Sequence, residues 1–385
     1  MHEISIDVTR LLGRFMKGRL PTGVDRVSLA YIQYFSRRAK ALVRLKGRTL
    51  LLPNAVSQEL FGKLLKPSLD FPRTTLWLLG RECLKFQQHQ ELQGAFMFNT
   101  GHSGLEQAAY PDQLRRQGVR PLFLVHDLIP ISHPEYCRPG ELGRHLTRMN
   151  NVLDLASGVI ANSQATLDEL AHYAIKTGRS MPPAVAALLA SPVFTPPLVT
   201  RPPIAAPYFV ILGTIEPRKN HWLLLQLWRR LVERLGTRAP RLVVIGQRGW
   251  ECENVVDLLE RCEPLRGFVT ELSACSDADM VNYLHHARAL LFPSFAEGYG
   301  MPLVEALAAG VPVIASDLPV FREIAGDIPD YLDPLDAMGW MARIEAYTDT
   351  DSLERTAQLN RVAHFVPPSW SAHFELVEDL MRRAR

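Results

Sequence analysis

Apolar runs of four to seven residues recur along the chain, separated by stretches where apolar positions return every three or four residues. The runs at 3–9, 41–45, 75–79, 95–99, 120–126 and 158–162 read as strands, and the stretches at 142–155 and 166–173 as amphipathic helices. A basic loop is expected after the first run, followed from Asp25 by a helical pattern through Val27, Leu29, Ala30, Tyr31 and Tyr34-Phe35. Gly23 stands just before that helix, where backbone can approach a ligand closely or simply turn. The pattern breaks near 191–208, where Pro192, Pro196, Pro197, Pro202, Pro203 and Pro207 fix φ and remove N–H donors. It then resumes with strands at 208–212, 241–245 and 267–269, and with helices at 221–235, 254–261 and 277–287. Strands alternating with helices predict parallel sheets wound on both faces. The expected fold is therefore α/β, with two doubly wound Rossmann-like domains at 1–195 and 208–366 joined by a proline-rich linker at 196–207. Their ligand site is expected where strand ends face a cleft. Within 367–385 a last amphipathic helix at 371–383 is expected to pack back towards the first domain.

One stretch organises the second half. Residues 289–292 read as a buried strand, Glu297-Gly-Tyr-Gly300 as a tight turn, 303–309 as a helix with Pro302 in its first turn, and 311–315 as the next strand. Such a βαβ unit aims free N–H groups and the positive end of a helix at an anion. Glu297 falls in the loop and Glu305 in the first helical turn, so both can face one ligand. A diphosphate between hydroxyl groups held by carboxylates describes a nucleotide sugar.

Bulk properties narrow the class. The 385 residues exceed what one core usually supports, and 47% apolar with 22% charged residues is ordinary for a globular protein. No run approaches a membrane span, and no signal peptide is read at Met1, which leads directly into a strand. Cys83, Cys137, Cys252, Cys262 and Cys275 are odd in number and lack metal-site spacing, which favours a reducing compartment. Residues 1–195 carry 24 Lys and Arg against 15 Asp and Glu, while 196–385 carry 19 against 25. The excess is densest from Arg10 to Arg48, as a solvated face or as an attraction to an anionic membrane or phosphorylated acceptor. No nucleic-acid motif or aromatic platform accompanies it.

The quoted residues resemble the retaining glycosyltransferases of the two-domain GT-B fold, in the large family that includes bacterial mannosyl- and rhamnosyltransferases of surface-polysaccharide synthesis. Glu297–Glu305 matches its E-x7-E motif, and Gly213-Thr-Ile-Glu-Pro-Arg-Lys-Asn220 its phosphate loop. Val125-His-Asp-Leu-Ile-Pro130 and Ala161-Asn-Ser-Gln-Ala165 resemble its N-terminal segments. The resemblance implies that Lys219 contacts the donor diphosphate, joined by Arg218, and that Glu305 accepts from the ribose and Glu297 from a sugar hydroxyl. Backbone groups of Gly298, Tyr299 and Gly300, with Met301, Pro302 and Leu303 beyond them, would line the donor, as would Gly213. His126 would approach the reacting sugar, with Asp127 anchoring its loop or orienting it. Val269, in the segment 267–269, would lie by the nucleobase. Thr214 departs from the family, where many relatives carry Arg, so that one positive charge is either missing here or supplied by Arg218 or Arg248.

The implied activity is hexosyl transfer with retention, from a nucleoside-diphosphate sugar (GDP-mannose by resemblance) to a glycan or lipid-linked saccharide. It is expected in the cytoplasm, with peripheral attachment at the inner membrane face. A nucleotide-sugar epimerase and a non-catalytic nucleotide-sugar-binding protein are the alternatives. No cofactor is implied, and no metal is expected. Asp277-Ala-Asp279 follows Ser276 at a helix start, where acids serve the dipole, and His285-His286 lie on different helix faces. Ser163 reads as a helix cap. Gly101-His-Ser-Gly104 lacks the spacing of a hydrolase elbow and is expected on the acceptor side.

Overall fold

The computed structural model describes residues 4–19, 21–45, 48–68, 70–84, 93–190 and 201–384. The chain divides into two compact units. The first comprises Met1–Ile131, Gly140–Leu189 and Trp370–Arg385; the second comprises Ser132–Pro139 and Ala190–Ser369. Of the linker expected at 196–207, residues 196–200 lie outside the described residues.

The first unit runs β1 (Ile4–Asp7), α1 (Thr9–Phe15), α2 (Gly23–Phe35), β2 (Ala39–Leu45), β3 (Arg48–Leu51), α3 (Asn54–Leu65), α4 (Phe71–Leu84) and β4 (Phe96–Asn99). It continues with α5 (Tyr110–Gln117), β5 (Arg120–Val125), α6 (Ile129–Ser132), α7 (Glu141–Leu155), β6 (Gly158–Ala161), α8 (Gln164–Lys176) and β7 (Ala184–Ala186). The sheet order is β3-β2-β1-β4-β5-β6-β7. All neighbours are parallel except β2 and β3, which pair antiparallel, so this sheet is mixed where a purely parallel one was expected. Two expectations fail for one reason, the ambiguity of short apolar runs. The strand expected at 75–79 lies inside α4, where Phe71, Thr75, Leu78 and Leu79 are buried and Leu76 and Trp77 exposed, a helical and not an alternating rhythm. The basic loop after β1 contains α1, which buries Leu11, Leu12 and Phe15.

The second unit runs β8 (Tyr208–Leu212), α9 (His221–Leu235), β9 (Arg241–Ile245), α10 (Glu253–Arg261), β10 (Val269–Leu272), α11 (Asp277–His285), β11 (Leu290–Phe292) and α12 (Met301–Ala308). Then come β12 (Val313–Ser316), α13 (Pro319–Ala325), β13 (Asp330–Leu332), α14 (Ala337–Thr348) and α15 (Leu353–Val362). Its sheet, β10-β9-β8-β11-β12-β13, is parallel throughout, and its order reverses between β8 and β11. Loops leaving the carboxyl ends of those two strands therefore meet at the point where such sheets bind ligands. The core beneath is packed by the apolar stripe Leu224, Leu227, Trp228 and Leu231 of α9 against Phe209, Ile211, Leu242 and Val244. Trp228 meets Phe209 edge-on at 5.8 Å and donates from Nε1 to the Pro240 carbonyl at 2.9 Å.

The final helix, α16 (Trp370–Arg383), belongs to the first unit. Phe374 stacks on Tyr34 at 4.0 Å, and buried His373 donates from Nδ1 to the Ala187 carbonyl while accepting from the Tyr31 hydroxyl. Burial lowers the His373 pKa to about 4. The basic stretch 10–48 is only partly a surface feature. Arg10 and Arg14 pair with buried Asp25, and Arg44 is nearly enclosed against Asp7 at 2.8 Å. Arg37 is exposed and Arg38 pairs with Glu378.

Candidate active site

β8 ends at Leu212, and the chain turns at Gly213 (φ +130°) into a loop closed by a short 3-10 turn, Pro217–Lys219. The loop lies flush against the loop that follows β9. Gly213 N–H donates to the Ile245 carbonyl, Ile215 N–H to Gln247 and Gly249 N–H back to Ile215, each at 2.9 Å. A Cβ on Gly246 would stand 1.9 Å from the Gly213 oxygen, and one on Gly249 would stand 2.7 Å from both the Ile215 oxygen and the Thr214 methyl. Gly246 and Gly249, which no local pattern in the sequence singles out, thus allow the loop after β8 its path. Asn220, at φ +56°, ends the loop and donates from Nδ2 to the Pro334 carbonyl.

The loop after β11 supplies the opposite side. Phe295 N–H donates to the Arg218 carbonyl at 2.8 Å, and Arg218 Nη1 donates to the Ala296 carbonyl at 3.0 Å. Four charged side chains meet across these bonds. Arg218 reaches Glu216 through Nε at 2.6 Å and Glu297 through Nη1 at 2.7 Å. Lys219 pairs with the other oxygen of Glu297, which also accepts from the Ser294 hydroxyl at 2.8 Å. The ammonium of Lys219 lies 4.8 Å from the centre of the Phe292 ring, a cation–π arrangement. Glu216, Lys219 and Glu297 keep 3%, 8% and 6% of their side-chain surface, so little solvent screens them.

Burial favours the neutral form of each group. It raises Glu216 despite Arg218 and Lys219, and it lowers the Lys219 ammonium despite Glu297. Burial also pushes Glu297 up, but its two cations outweigh that and hold it at about 2. Two cations and two carboxylates make the quartet neutral as a whole. The expected cation pair for a diphosphate is thus already held by protein carboxylates. Glu297, assigned by resemblance to a sugar hydroxyl, fixes both cations. Beside them His221, the first residue of α9, is buried with neither ring nitrogen partnered among the described residues; burial and then Lys219 lower it to about 3.

The glycine turn follows. Gly300 (φ +101°) precedes α12, and a Cβ there would stand 2.5 Å from Phe321, whose ring stacks on Phe292 at 4.9 Å. α12 begins at Met301, so Pro302 falls where its missing N–H costs nothing. Two expectations change. Glu305 lies in the second turn of α12, not the first, and is buried there. Leu303 is a fully buried core residue whose amide donates to the Gly300 carbonyl at 3.0 Å.

Other candidates stand apart from the quartet. Arg248, proposed to replace the missing charge at Thr214, directs its guanidinium to Glu271 through two 2.8 Å bonds and to Glu260 at 2.5 Å, and these carboxylates raise its pKa. Arg248→Ala is therefore expected to leave nucleotide affinity within about threefold of wild type by titration, as for other exposed ion pairs. Val269 opens the edge strand β10, which starts after a turn at Gly267 (φ +75°) and not within it. Ser276 and Ser163 cap α11 and α8, accepting from Asp279 N–H and Thr166 N–H at 3.1 Å.

In the first unit, His126 follows β5 and donates from Nε2 to the Thr100 carbonyl at 2.7 Å. Burial lowers its pKa, so the neutral ring keeps its proton on Nε2. Asp127 anchors the loop by accepting from Ile129 N–H. Thr100 in turn meets the Ser28 hydroxyl of α2 at 2.8 Å, which links His126 to the helix that Gly23 begins. Asp25 closes that helix start by accepting from the Thr22 amide and hydroxyl at 2.8 and 2.7 Å. A Cβ on Gly23 would meet no atom within 4 Å. His102, from the expected acceptor segment, sits at φ +56° with its ring 5.4 Å from that of His126.

The family model for glycosyl transferases group 1 matches residues 201–329. The chain is 30% identical over 258 residues to O-antigen chain mannosyltransferase B of Escherichia coli, covering 65% of this chain and 67% of that protein. It is 29% identical over 259 residues to the serotype-specific mannosyltransferase WbdA of Escherichia coli, covering 59% of this chain but only 29% of that protein. The chain thus spans under a third of the length of the WbdA relatives it matches. Among solved structures, Anabaena HepE in complex with UDP and glucose superimposes with a TM-score of 0.68 at 14% identity, covering 99% of this chain and all of that one. Sucrose-phosphate synthase from Thermosynechococcus elongatus gives 0.64 at 16%, covering 100% and 99%. These two likenesses establish the fold.

Proposed function

The chain belongs to the glycosyl transferases group 1, with the two-domain GT-B fold, and from that premise we propose that it transfers a hexosyl unit from a nucleoside-diphosphate sugar to a glycan. The sugar we propose is mannose and the acceptor a saccharide of surface-polysaccharide synthesis, as the O-antigen mannosyltransferase names of its relatives support, and the carrier we propose from the resemblance is GDP. The observation that carries the reading is the buried quartet of Glu216, Arg218, Lys219 and Glu297 where the order of the second sheet reverses.

In the reaction the bond from the sugar C1 to the β-phosphate oxygen breaks, and the electron pair leaves with the nucleoside diphosphate. An acceptor hydroxyl bonds to C1 on the same face and passes its proton to the departing phosphate. Charge builds on the leaving group, so donors fixed beforehand do most of the work. Lys219 has three N–H donors and gives one to Glu297, which leaves others for the diphosphate. Arg218 adds its charge without reorganising, because Glu216 and Glu297 already orient it. Glu305 holds the ribose, and His126 offers the unprotonated Nδ1 to a hydroxyl of the reacting sugar. Two protein cations take the place of a divalent metal. Gly23→Ala is expected to melt at or slightly above the wild-type temperature, since its Cβ meets nothing within 4 Å, yet to lose about tenfold in turnover by crowding the ligand.

The exposed part of the basic stretch, Arg37 above all, supports peripheral attachment to an anionic membrane from the cytoplasmic side. No helix among the described residues is long and apolar enough to cross a membrane. Reversing Arg37, Arg38 and Lys40 should reduce co-sedimentation with anionic liposomes; unchanged binding counts against the attachment. For the donor, thermal shifts with UDP, GDP, ADP and their sugars should show one preferred pair, the stabilisation following its affinity. A chain that none of them stabilises contradicts the reading.

A further inference from the structure

Residues Ser132–Pro139 run from the last residue of α6 towards α7, flanked on both sides by the first unit, yet they form part of the second. They make a strap. A 3-10 turn at Pro134–Tyr136 stiffens it, with Tyr136 N–H donating to the His133 carbonyl and Cys137 N–H to Pro134. The Tyr136 ring stacks nearly parallel on two others, that of His133 at 5.9 Å and that of Phe295 at 5.3 Å. The Tyr136 carbonyl accepts from Trp250 Nε1 at 3.2 Å, and the Arg138 guanidinium lies over the Trp250 ring at 4.9 Å.

Both attachment points adjoin the charged quartet. Phe295 stands two residues before Glu297, next to the Ser294 that bonds it, and its amide donates to the Arg218 carbonyl. Trp250 follows Gly249, whose amide donates to Ile215 beside Glu216. The strap therefore holds the loop that carries Glu297 directly and, through Trp250, the loop after β9 that lies against the Glu216–Lys219 loop; its ring stacks and the Trp250 hydrogen bond need no ligand. We propose that Tyr136 is a positioning residue of the donor site, setting the Glu297 loop against Arg218 and Lys219 through its stack on Phe295. The proposal rests on the donor-site reading above. It predicts that the ring of Tyr136 matters and its hydroxyl does not.

The test uses the full chain with Tyr136→Ala, Tyr136→Phe, Phe295→Ala and the Ala/Ala double variant. Affinity for the nucleoside diphosphate is read by titration, and amide exchange is followed along the chain by mass spectrometry. Tyr136→Ala should weaken nucleotide binding about tenfold, the scale of a lost aromatic pair with its burial, and should speed exchange at 293–300 but not at 208–212. Tyr136→Phe should restore both. The double variant should be no worse than Phe295→Ala alone, because both changes remove one interaction. Wild-type affinity and exchange in Tyr136→Ala overturn the proposal, as do additive losses or exchange raised evenly through the second unit, which mark a merely structural ring. If the wild type binds no nucleotide, the donor-site reading fails, while the exchange pattern still decides whether the strap positions the loop.

Discussion

Glu297→Gln should abolish most turnover and cost the fold about 3 kcal/mol, because it strips the buried Lys219 ammonium of its carboxylate partner and leaves half-buried Arg218 with Glu216 alone. Removing one partner of a buried charge group strands the others, at a cost of roughly 3–5 kcal/mol. The titration of Glu297 gives a similar scale. Its pKa falls from 4.5 to about 2 on folding, and each unit is worth about 1.4 kcal/mol. The sign follows from that depression: the stabilisation is complete above about pH 4.5 and disappears as the pH falls through about 2. Urea unfolding should therefore show the full deficit of Glu297→Gln at pH 7 and a shrinking one between those values. A deficit that stays constant down to pH 2 would show that Glu297 is not held by its cations. Turnover should fall by about two orders of magnitude, as when one fixed donor to a developing anion is lost, since Lys219 and Arg218 lose their common anchor.

Gly246→Ala should be nearly as severe, for a reason without charge. Its Cβ would stand 1.9 Å from the Gly213 oxygen and 2.6 Å from the Gly213 carbon, both backbone atoms. Gly246 N–H is tied to Leu272 and Gly213 N–H to Ile245, so neither strand can yield alone. Overpacking of this kind costs about 1–3 kcal/mol or more, and a shift of about 1 Å in the loop after β8 can cost about a hundredfold in rate. Gly143→Ala is the control. Gly143 lies inside α7 with nothing within 4 Å of the new methyl, and the change should stabilise by about 0.5–1 kcal/mol. Equal melting temperatures for the two variants would mean that the loops do not pass as closely as described.

The second unit was legible where the pattern was strong. Tyr208–Leu212, His221–Leu235 and Arg241–Ile245 stand where the apolar periodicity put them, since fully buried strands and a two-faced helix leave unambiguous traces. The first unit was less so. The apolar run within α4 is too short to tell period two from period 3.6, and the antiparallel β3 is set by pairing with β2 that no local pattern carries. Of the site, the residues proposed to meet a ligand stood out because glycines and acids in one loop are chemically unusual. The residues that hold them were not. Glu216 looked like one acid in a polar loop, and the need for Gly246 and Gly249 arises only when another loop lies against them. The pairing of Glu297 with Lys219 and Arg218 spans nearly eighty positions and depends on the sheet order. Thr214 marked a missing charge, yet Arg248 is committed to Glu271 and Glu260, and Arg218 stands in the quartet.

The most direct test follows GDP-mannose and a saccharide acceptor by proton NMR, in the presence of wild type or of Lys219→Met. The account predicts GDP released in step with one new mannoside of the donor's own anomeric configuration, at a rate that Lys219→Met lowers by about two orders of magnitude. An epimerised sugar formed without acceptor, or turnover indifferent to Lys219, would contradict it.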